Sequence, residues 1–258
     1  DISVSDCIVR DSMEGIRVSY GRNIDISNCT IYGNADGSVE LWDSSFVDVS
    51  DCVIFDNGGE YSGGILIIDA PDREGSCNNI TISSCRIYNN TRDGVTVYDN
   101  CEDIEVFSNF IANNTQNGIS VSRFCSVDIV DNRVVGNGDG GYFDSGLFIS
   151  DCRGSVYVSG NVFEGNDNYG IYLLRSSKNV VKNNVFVDNV DSGGFFIVRH
   201  NLYNCWDGNF WGSYRGFGPK PVLGRISIQF NFDLNDNGLL DTLPVPWVNF
   251  DWHPASEL

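Results

Sequence analysis

The stretch that decides the fold is ITISSCRIYNNTRDGVTVYDN, residues 80–100. A short run of alternating apolar residues is followed by Cys85, a second run around Ile87, then Asn90, Gly94 and a third apolar run. Alternating apolar residues in runs of three or four, separated by turn-forming residues, predict strands rather than helices. This stretch therefore predicts three short strands with a bend between each pair.

The same pattern occurs eight times, with starts 22, 23, 33, 24, 23, 29 and 23 residues apart. The position of Cys85 recurs as Cys7, Cys29, Cys52, Cys85, Asn109, Asn132, Asn161 and Asn184. Five residues further on, the chain has one serine and then only asparagines: Ser12, Asn34, Asn57, Asn90, Asn114, Asn137, Asn166 and Asn189. A glycine follows in each copy: Gly15, Gly37, Gly64, Gly94, Gly118, Gly146, Gly170 and Gly194. Such a period is typical of a solenoid.

Three short strands cannot bury their apolar sides alone, so the copies are expected to stack. Each strand would then pair with its counterpart in the next coil, about 4.8 Å along the axis. We predict an all-β protein, a single-stranded right-handed parallel β-helix of about eight coils over residues 1–203. An irregular C-terminal capping segment is predicted over residues 204–258.

The recurring asparagine has a structural explanation. Asparagine tolerates the left-handed backbone of a tight bend, and its amide can bond the equivalent amides of the coils above and below. The residues predicted to form one continuous internal ladder are Asn34, Asn57, Asn90, Asn114, Asn137, Asn166 and Asn189.

The composition is strongly acidic, with 35 acidic residues, 16 basic residues and a net charge of −19. Nucleic acids and anionic membranes attract basic patches, so this balance disfavours both as partners. It favours cations as ligands. No apolar run is long enough to span a bilayer, and we expect no membrane insertion.

The nine cysteines fall into two series, with Cys205 left over. One series has the position that later coils give to asparagine, and the other precedes the first strands. Buried thiols that act as small apolar side chains, disulfides between neighbouring coils and binding of soft metal ions all remain open. The second series is Cys77, Cys101, Cys125 and Cys152.

Alternate residues of the third strand are predicted to face outward. They become apolar or aromatic in the later coils, and such a stripe is rarely left exposed to water. Cover by the C-terminal segment, a protein–protein interface and a platform for sugar rings remain open. Enlarged bends at residues 58–63 and 138–145 either border a site or are surface insertions. The stripe is Trp42, Leu66, Ile68, Tyr98, Phe148, Tyr172, Leu174 and Phe196.

From residue 204 the repeat gives way to a different sequence. The segments are WDGNFWGSY at 206–214, DLNDNGLLDTLP at 233–244 and DWHP at 251–254. Their order resembles the close of the NosD-like and archaeal cell-surface β-helix proteins. Together with the coils, this resemblance covers nearly the whole chain. It implies a right-handed β-helix outside the cytoplasm, and the NosD name implies a copper-related maturation role.

Residues 233–241 match the first nine places of a calcium loop. Asp233, Asn235, Asn237 and Asp241 would supply side-chain oxygens, and Leu239 a backbone carbonyl. A proline at the twelfth place replaces the usual glutamate, so another ligand would come from elsewhere. We predict a structural calcium ion here, with an Asx-rich turn held by its own hydrogen bonds as the alternative.

No catalytic residue is predicted. The paired-Asp, Gly-His-Gly and Asp-Pro-His motifs of pectin- and alginate-acting β-helices do not occur in the sequence. Copper favours His, Met or thiolate ligands, and the chain has two His and one Met. A charged column at the ends of the third strands could hold a sugar acid or a cation, or be alternating surface charge. This column is Asp43, Asp69, Asp99, Arg123, Asp151, Arg175 and Arg199, next to His200.

We expect a non-catalytic extracellular or cell-surface protein, a structural or adhesive component of a surface layer, sheath or filament. Its partners would be other copies of itself, cell-surface proteins or polysaccharide. One alternative is a carbohydrate-active enzyme or sugar-binding module of the polysaccharide lyase or epimerase type. Another is a NosD-like periplasmic protein for metalloenzyme maturation. Four glycosylation sequons fit a surface location: Asn28, Asn79, Asn89 and Asn113.

Overall fold

Each coil contributes one strand to each of three columns of parallel strands. No helix occurs in the described residues, and every pairing there between coils is parallel. The right-handed parallel β-helix predicted from the sequence is confirmed. The structure is a computed structural model that describes residues 1–59, 63–70, 77–153, 155–198, 203–212, 214, 218–229 and 242–255.

The three columns run the length of the solenoid. The first consists of β1 (Ile2–Ser5), β4 (Arg22–Ser27), β7 (Ser45–Ser50), β10 (Asn78–Ser83), β13 (Glu102–Phe107), β16 (Val127–Val130), β19 (Val156–Ser159), β22 (Val180–Lys182) and β25 (Cys205–Asp207). The second consists of β2 (Ile8–Arg10), β5 (Thr30–Tyr32), β8 (Val53–Phe55), β11 (Arg86–Tyr88), β14 (Phe110–Ala112), β17 (Arg133–Val135), β20 (Val162–Glu164), β23 (Val185–Val187) and β26 (Phe210–Trp211). The third consists of β3 (Ile16–Ser19), β6 (Val39–Trp42), β9 (Ile65–Ile68), β12 (Val95–Tyr98), β15 (Ile119–Ser122), β18 (Ser145–Ser150), β21 (Tyr169–Leu174) and β24 (Ser192–Val198).

The interior is a stack of β-branched and other apolar side chains, one layer per coil. Ile80, for example, is in register with Val47 in one neighbouring coil and Ile104 in the other. All three are at most 1 % exposed. Burial of such a side chain contributes roughly 1.5–3 kcal/mol. Because each layer packs mainly on its neighbours, stability accumulates coil by coil.

The seven asparagines after the second column form one ladder, unbroken from Asn34 to Asn189. The Nδ2 of Asn90 donates to Oδ1 of Asn114 over 3.0 Å, and the backbone N–H of Asn90 donates to the same oxygen over 3.1 Å. Asn114 donates to Asn137 in the same way. The ladder therefore satisfies backbone donors at bends where no strand partner is available.

A second ladder occupies the Cys85 position. In the later coils its rungs are Asn109, Asn132, Asn161, Asn184 and Asn209. In the earlier coils thiols take the place of the amides, and the Cys85 Sγ lies within reach of two backbone carbonyls, that of Ser83 in its own coil at 3.2 Å and that of Val49 in the preceding coil at 3.6 Å. All nine cysteines are free, and eight of them lie in these two interior series. The described geometry is that of small buried donors rather than disulfides.

The second ladder ends at Asp251, the first residue of the DWHP segment. Its Oδ2 accepts from the backbone N–H of Asn209 at 3.0 Å, from Asn209 Nδ2 at 2.9 Å and from Trp211 Nε1 at 3.0 Å. Asp251 is fully buried. The last position of the ladder needs only an acceptor, which a carboxylate supplies.

Stacking continues beyond residue 203, where we placed the end of the coils. Strands β25 and β26 pair in parallel with β22 and β23. The described part of the cap is a regular antiparallel hairpin of β27 (Lys220–Gln229) and β28 (Thr242–Asp251), not an irregular segment. Its β27 pairs in parallel with β24, so the hairpin closes the end of the stack.

In the last coil the strand register predicted from the sequence is wrong by one residue. Tyr172 is in register with Phe195, and Leu173 with Phe196. Phe196 is therefore fully buried in the core rather than outward. A Cβ atom on Gly170 would lie 2.6 Å from the carbonyl oxygen of Gly193, so Gly193, not Gly194, stacks on Gly170.

We expect Asn114→Ala to lower the free energy of unfolding by about 3 kcal/mol, because the two N–H donors of Asn90 lose a buried acceptor. The midpoint of urea unfolding, followed by circular dichroism, measures the effect. Thr115→Ala, next to it on the same bend, is the matched control and is expected to cost under about 1 kcal/mol. Equal losses in the two variants would contradict the role given to the ladder.

We expect only Cys205, which is exposed, and more slowly the half-buried Cys7 to react with a thiol reagent in the native protein. The other seven thiols are buried and should react only on unfolding. Time-resolved labelling with and without denaturant, read by mass spectrometry, tests this, and Cys205→Ser should remove the fast phase. Rapid labelling of Cys52 or Cys101 in the folded protein would show that the interior series is accessible.

Candidate functional site

An aromatic cluster lies on the outer face of the third column in the later coils. Phe148, Tyr172 and Phe195 share one outward row of β18, β21 and β24. Successive ring centroids are 5.7 and 5.6 Å apart. Tyr169 stacks on Phe195 at 5.0 Å with an interplanar angle of 17°. These four rings form a continuous floor, and such arrangements favour contact with flat, weakly polar ligand faces.

The enlarged bend at residues 138–145 supplies the wall of this cluster. Phe143 stacks on Tyr172 at 5.7 Å, and Tyr142 meets Phe143 edge-on at 4.9 Å. Tyr142 is 75 % exposed. The wall therefore projects a ring into solvent beside a floor that is mostly covered.

Asp144 holds the wall in place. Its Oδ2 accepts the backbone N–H of Asp139 at 3.2 Å and of Gly141 at 2.8 Å. From the next coil, Asn168 Nδ2 donates to the Gly141 carbonyl at 2.6 Å. Gly138 and Gly140 both have φ of +103°, which a residue with a side chain rarely adopts. Burial and the charge of Asp139 raise the pKa of the Asp144 carboxyl, although the two N–H donors oppose this.

Polar groups surround a cavity of about 130 Å³ at the edge of the floor. They include Asn168, Asp191 and Arg225, and Tyr169 and Tyr172 also line the cavity. Burial raises the pKa of Tyr172 to about 12 and also raises that of Tyr169, so both hydroxyls stay protonated at neutral pH. At about 130 Å³ the cavity is smaller than the roughly 300–1,000 Å³ of a typical small-molecule site, so it can hold one substituent of a ligand rather than a whole sugar ring.

The sequence-derived stripe is only partly assembled at this cluster. Phe148 and Tyr172 are in it, and Leu174 lies half-buried one row further along β21. Leu66 and Ile68 are buried. Phe196 is buried in the core. The remaining two aromatic members are each covered by an arginine, Trp42 by Arg17 and Tyr98 by Arg123, both at 4.7 Å.

The sequence alone did not indicate six residues of this site: Tyr142, Phe143, Tyr169, Phe195, Asp191 and Arg225. The two adjacent aromatic residues within the enlarged bend are the signal that the sequence offers for the wall. Phe195 was missed because of the register error. Arg225 lies in the cap, outside any repeat, so periodicity could not place it.

A second concave surface lies along the outer face of the first column, a groove of about 560 Å³. Asp48, Asp103, Glu105 and Asp128 line it, with Phe46 at one end. Glu105 and Asp128 are in register on neighbouring strands. The groove is thus acidic and suits hydroxyl groups or cations.

The charged column at the ends of the third strands is largely paired. Arg123 bonds Asp99 at 3.2 Å, and Arg175 bonds Asp151 at 2.6 Å. Asp43 is buried, and its Oδ1 accepts the backbone N–H of Ala70.

Arg199 and His200 lie outside the described residues, as do all five residues of the predicted calcium loop, which stays a prediction. The four sequon asparagines are all exposed.

Asp69 in this column generates a pH prediction. Burial, followed by the neighbouring Asp43 carboxyl, raises the pKa of Asp69 to about 6. A raised carboxyl pKa favours the folded state at low pH, and this contribution is lost as the pH rises through about 6. We therefore expect Asp69→Asn to raise the free energy of unfolding at pH 7.5 by about 1 kcal/mol, a value reduced because the side chain is partly exposed to solvent. At pH 4.5 the substitution should change the free energy of unfolding little.

Thermal midpoints at the two pH values measure this effect. Asp48→Asn, in the exposed groove, is the control. An Asp69→Asn variant with the same pH dependence as the parent chain would contradict the assignment.

Comparison with known structures shows similarity to β-helix proteins over most of the chain. The periplasmic alginate epimerase AlgG matches with a TM-score of 0.52 and 14 % identity, over 87 % of this chain and 49 % of that one. XylC in complex with xylose matches with a TM-score of 0.52 and 17 % identity, over 73 % of this chain and 38 % of that one. A tailspike protein mutant of E. coli bacteriophage HK620, in complex with a pentasaccharide, matches with a TM-score of 0.51 and 14 % identity. The match covers 82 % of this chain and 41 % of that one.

These similarities show a shared fold, and this chain spans about half or less of each of these structures. No curated protein sequence matches it. The family model described as periplasmic copper-binding protein (NosD) matches residues 1–216. The chain therefore belongs to the NosD family.

Proposed function

We propose that this protein is a non-catalytic, extracytoplasmic adhesive component that binds glycans at the aromatic cluster. The observation that carries the proposal is the pair of half-buried rings Tyr169 and Phe195, which pack on the buried Tyr172 beside the projecting Tyr142. Sugar rings present flat C–H faces that pack on aromatic rings, and hydroxyls that need hydrogen-bond partners. The cluster supplies the first contact, and Asn168 and Asp191 the second.

The comparisons support a saccharide as the ligand class. AlgG acts on alginate, and XylC and the tailspike are described with xylose and a pentasaccharide. The family description is periplasmic. In the described residues there is also no helix that could cross a membrane. The family description supports a location outside the cytoplasm.

The cap supports the attachment that a surface component needs. Leu223, Phe250 and Trp252 are 60 %, 42 % and 62 % exposed there. Leu223 and Phe250 lie on the outer side of the hairpin, at positions that alternate with the buried Val222 and Asn249. Exposed apolar patches of this kind are typical of protein–protein contacts. We propose contact with another copy of the chain or with a cell-surface protein at this face.

A carbohydrate-active enzyme is the second candidate, and one observation favours it. Glu105 and Asp128 stand side by side on strands about 4.8 Å apart. Retaining glycosidases place two carboxyl groups about 5 Å apart. Release of reducing ends or unsaturated sugars from a polysaccharide panel, lost in Glu105→Gln, would favour this candidate over adhesion.

Copper binding fits the described residues poorly. They contain no group of three or more His, Cys, Asp or Glu side chains arranged to hold a metal. The Cys152 thiol donates to the carbonyl of Ser150, and burial raises its pKa to about 12, which disfavours the thiolate that copper binds. Hydrogen bonds to neighbouring thiols lower the pKa of Cys52 and Cys77, but both side chains are fully buried. His253 Nδ1 lies 2.6 Å from Asp207. We therefore assign no copper-dependent step to this chain.

The proposal predicts that Tyr142→Ala lowers affinity for a bound oligosaccharide about tenfold, as the loss of one ring contact would. Screening an oligosaccharide panel and titrating the hits by calorimetry measures this. Phe107→Ala removes a partly exposed aromatic ring from the first column and should leave affinity unchanged.

Asp144→Ala should weaken binding as Tyr142→Ala does, since the wall loses two hydrogen bonds. Failure of the panel to yield any ligand, or equal losses in Phe107→Ala and Tyr142→Ala, would contradict the proposed site.

A further inference from the structure

Arg225 is a cation at the aromatic cavity whose charge has no partner among the described residues. It lies on β27, in register with Ile197 of β24, and its side chain is exposed. Within the described part of the chain, no carboxylate oxygen lies within 4.0 Å of its guanidinium. Five other arginines have such a partner: Arg10, Arg17, Arg123, Arg133 and Arg175.

Among the described residues Arg22, Arg86, Arg92 and Arg153 also lack such a partner, so what sets Arg225 apart is its place at the aromatic cavity. Asp191 lines the same cavity, yet it forms no ion pair with Arg225 in the described structure. The positive charge still acts on the floor. Burial raises the pKa of Tyr169 and of Tyr172, and Arg225 opposes the rise at both hydroxyls. A ligand seated on these rings therefore lies in the field of Arg225.

We infer that the cluster selects sugar rings that carry a carboxylate, that is, uronic acids, and that Arg225 is the residue that selects them. The inference rests on the proposed glycan-binding function. A guanidinium binds a carboxylate through two parallel N–H···O bonds, which a neutral hydroxymethyl group cannot reproduce. Asp191 repels the carboxylate and accepts hydroxyl donors, so the pair also fixes the orientation of the ring.

The net charge of −19 opposes an anionic ligand at long range. At physiological ionic strength the Debye length is about 8 Å, so charges on other faces of the solenoid are largely screened. A carboxylate in contact with Arg225 lies well within this length, so its attraction to the guanidinium remains. The local pair therefore decides the preference, and affinity for a uronate is expected to hold or improve as salt rises from low to physiological concentration.

The test compares two ligands that differ in one group, a galacturonic acid trimer and the matching galactose trimer, titrated by calorimetry in 0.15 M salt. We expect the parent chain to bind the acidic trimer at least tenfold more tightly. Arg225→Gln should remove this preference and leave the affinity for the neutral trimer unchanged. Arg225→Lys keeps the charge without the paired donors and should retain part of the preference.

Arg22→Gln is the matched control, because Arg22 is an exposed arginine over the Phe46 ring on the first column, at 4.6 Å. It should keep the full preference. Equal binding of the two trimers by the parent chain, or an unchanged preference in Arg225→Gln, would overturn the selectivity and leave the glycan-binding function standing. If neither trimer binds and no oligosaccharide of the wider panel binds, both the selectivity and the glycan-binding function are overturned.

Discussion

A side-chain amide that donates to the next coil and accepts from the previous one is the interaction on which the rest of this structure depends. At each tight bend the backbone N–H has no strand partner, and a buried unpaired N–H costs about 1–3 kcal/mol. In Asn90 the backbone N–H and Nδ2 both donate to Oδ1 of Asn114. One carbonyl oxygen thus satisfies two donors, and the bend can pack against the core without water.

The second ladder shows how the chemistry of a rung depends on its place in the stack. Cys85 Sγ donates to the carbonyl of Val49, as Asn109 Nδ2 donates to that of Ile82. A thiol thus replaces the amide as a donor, but it is a weak acceptor. Asp251, at the far end, is the reverse case, an acceptor with no donor. The same position therefore carries three residue types according to which bonds remain to be made.

Because the ladders fix the register, they also determine which side chains face outward. The order of coils, the ladder and the interior rows follow from the period of the sequence, since a regular stack repeats the same contacts. The prediction failed at Gly193 and Gly194, where two adjacent glycines leave the period undetermined by one residue. Packing resolves it: a Cβ atom on Gly193 would lie 2.7 Å from both Phe186 and Trp211. A single-sequence pattern does not contain that contact.

The candidate site was less predictable than the fold because it lies where the repeat is interrupted. The wall comes from an enlarged bend held by Asp144, and the cation comes from a hairpin whose register on β24 no repeat dictates. Regular coils present equivalent residues at equal intervals, which gives long rows but few enclosed corners. An enclosed corner needs side chains from non-equivalent segments, as Tyr142 and Arg225 are.

The β-helix neighbours share only 14–17 % identity with this chain. Stacking constrains inward and bend positions and leaves the outward rows free to vary. The candidate site is therefore determined by the interruptions of the repeat rather than by the fold.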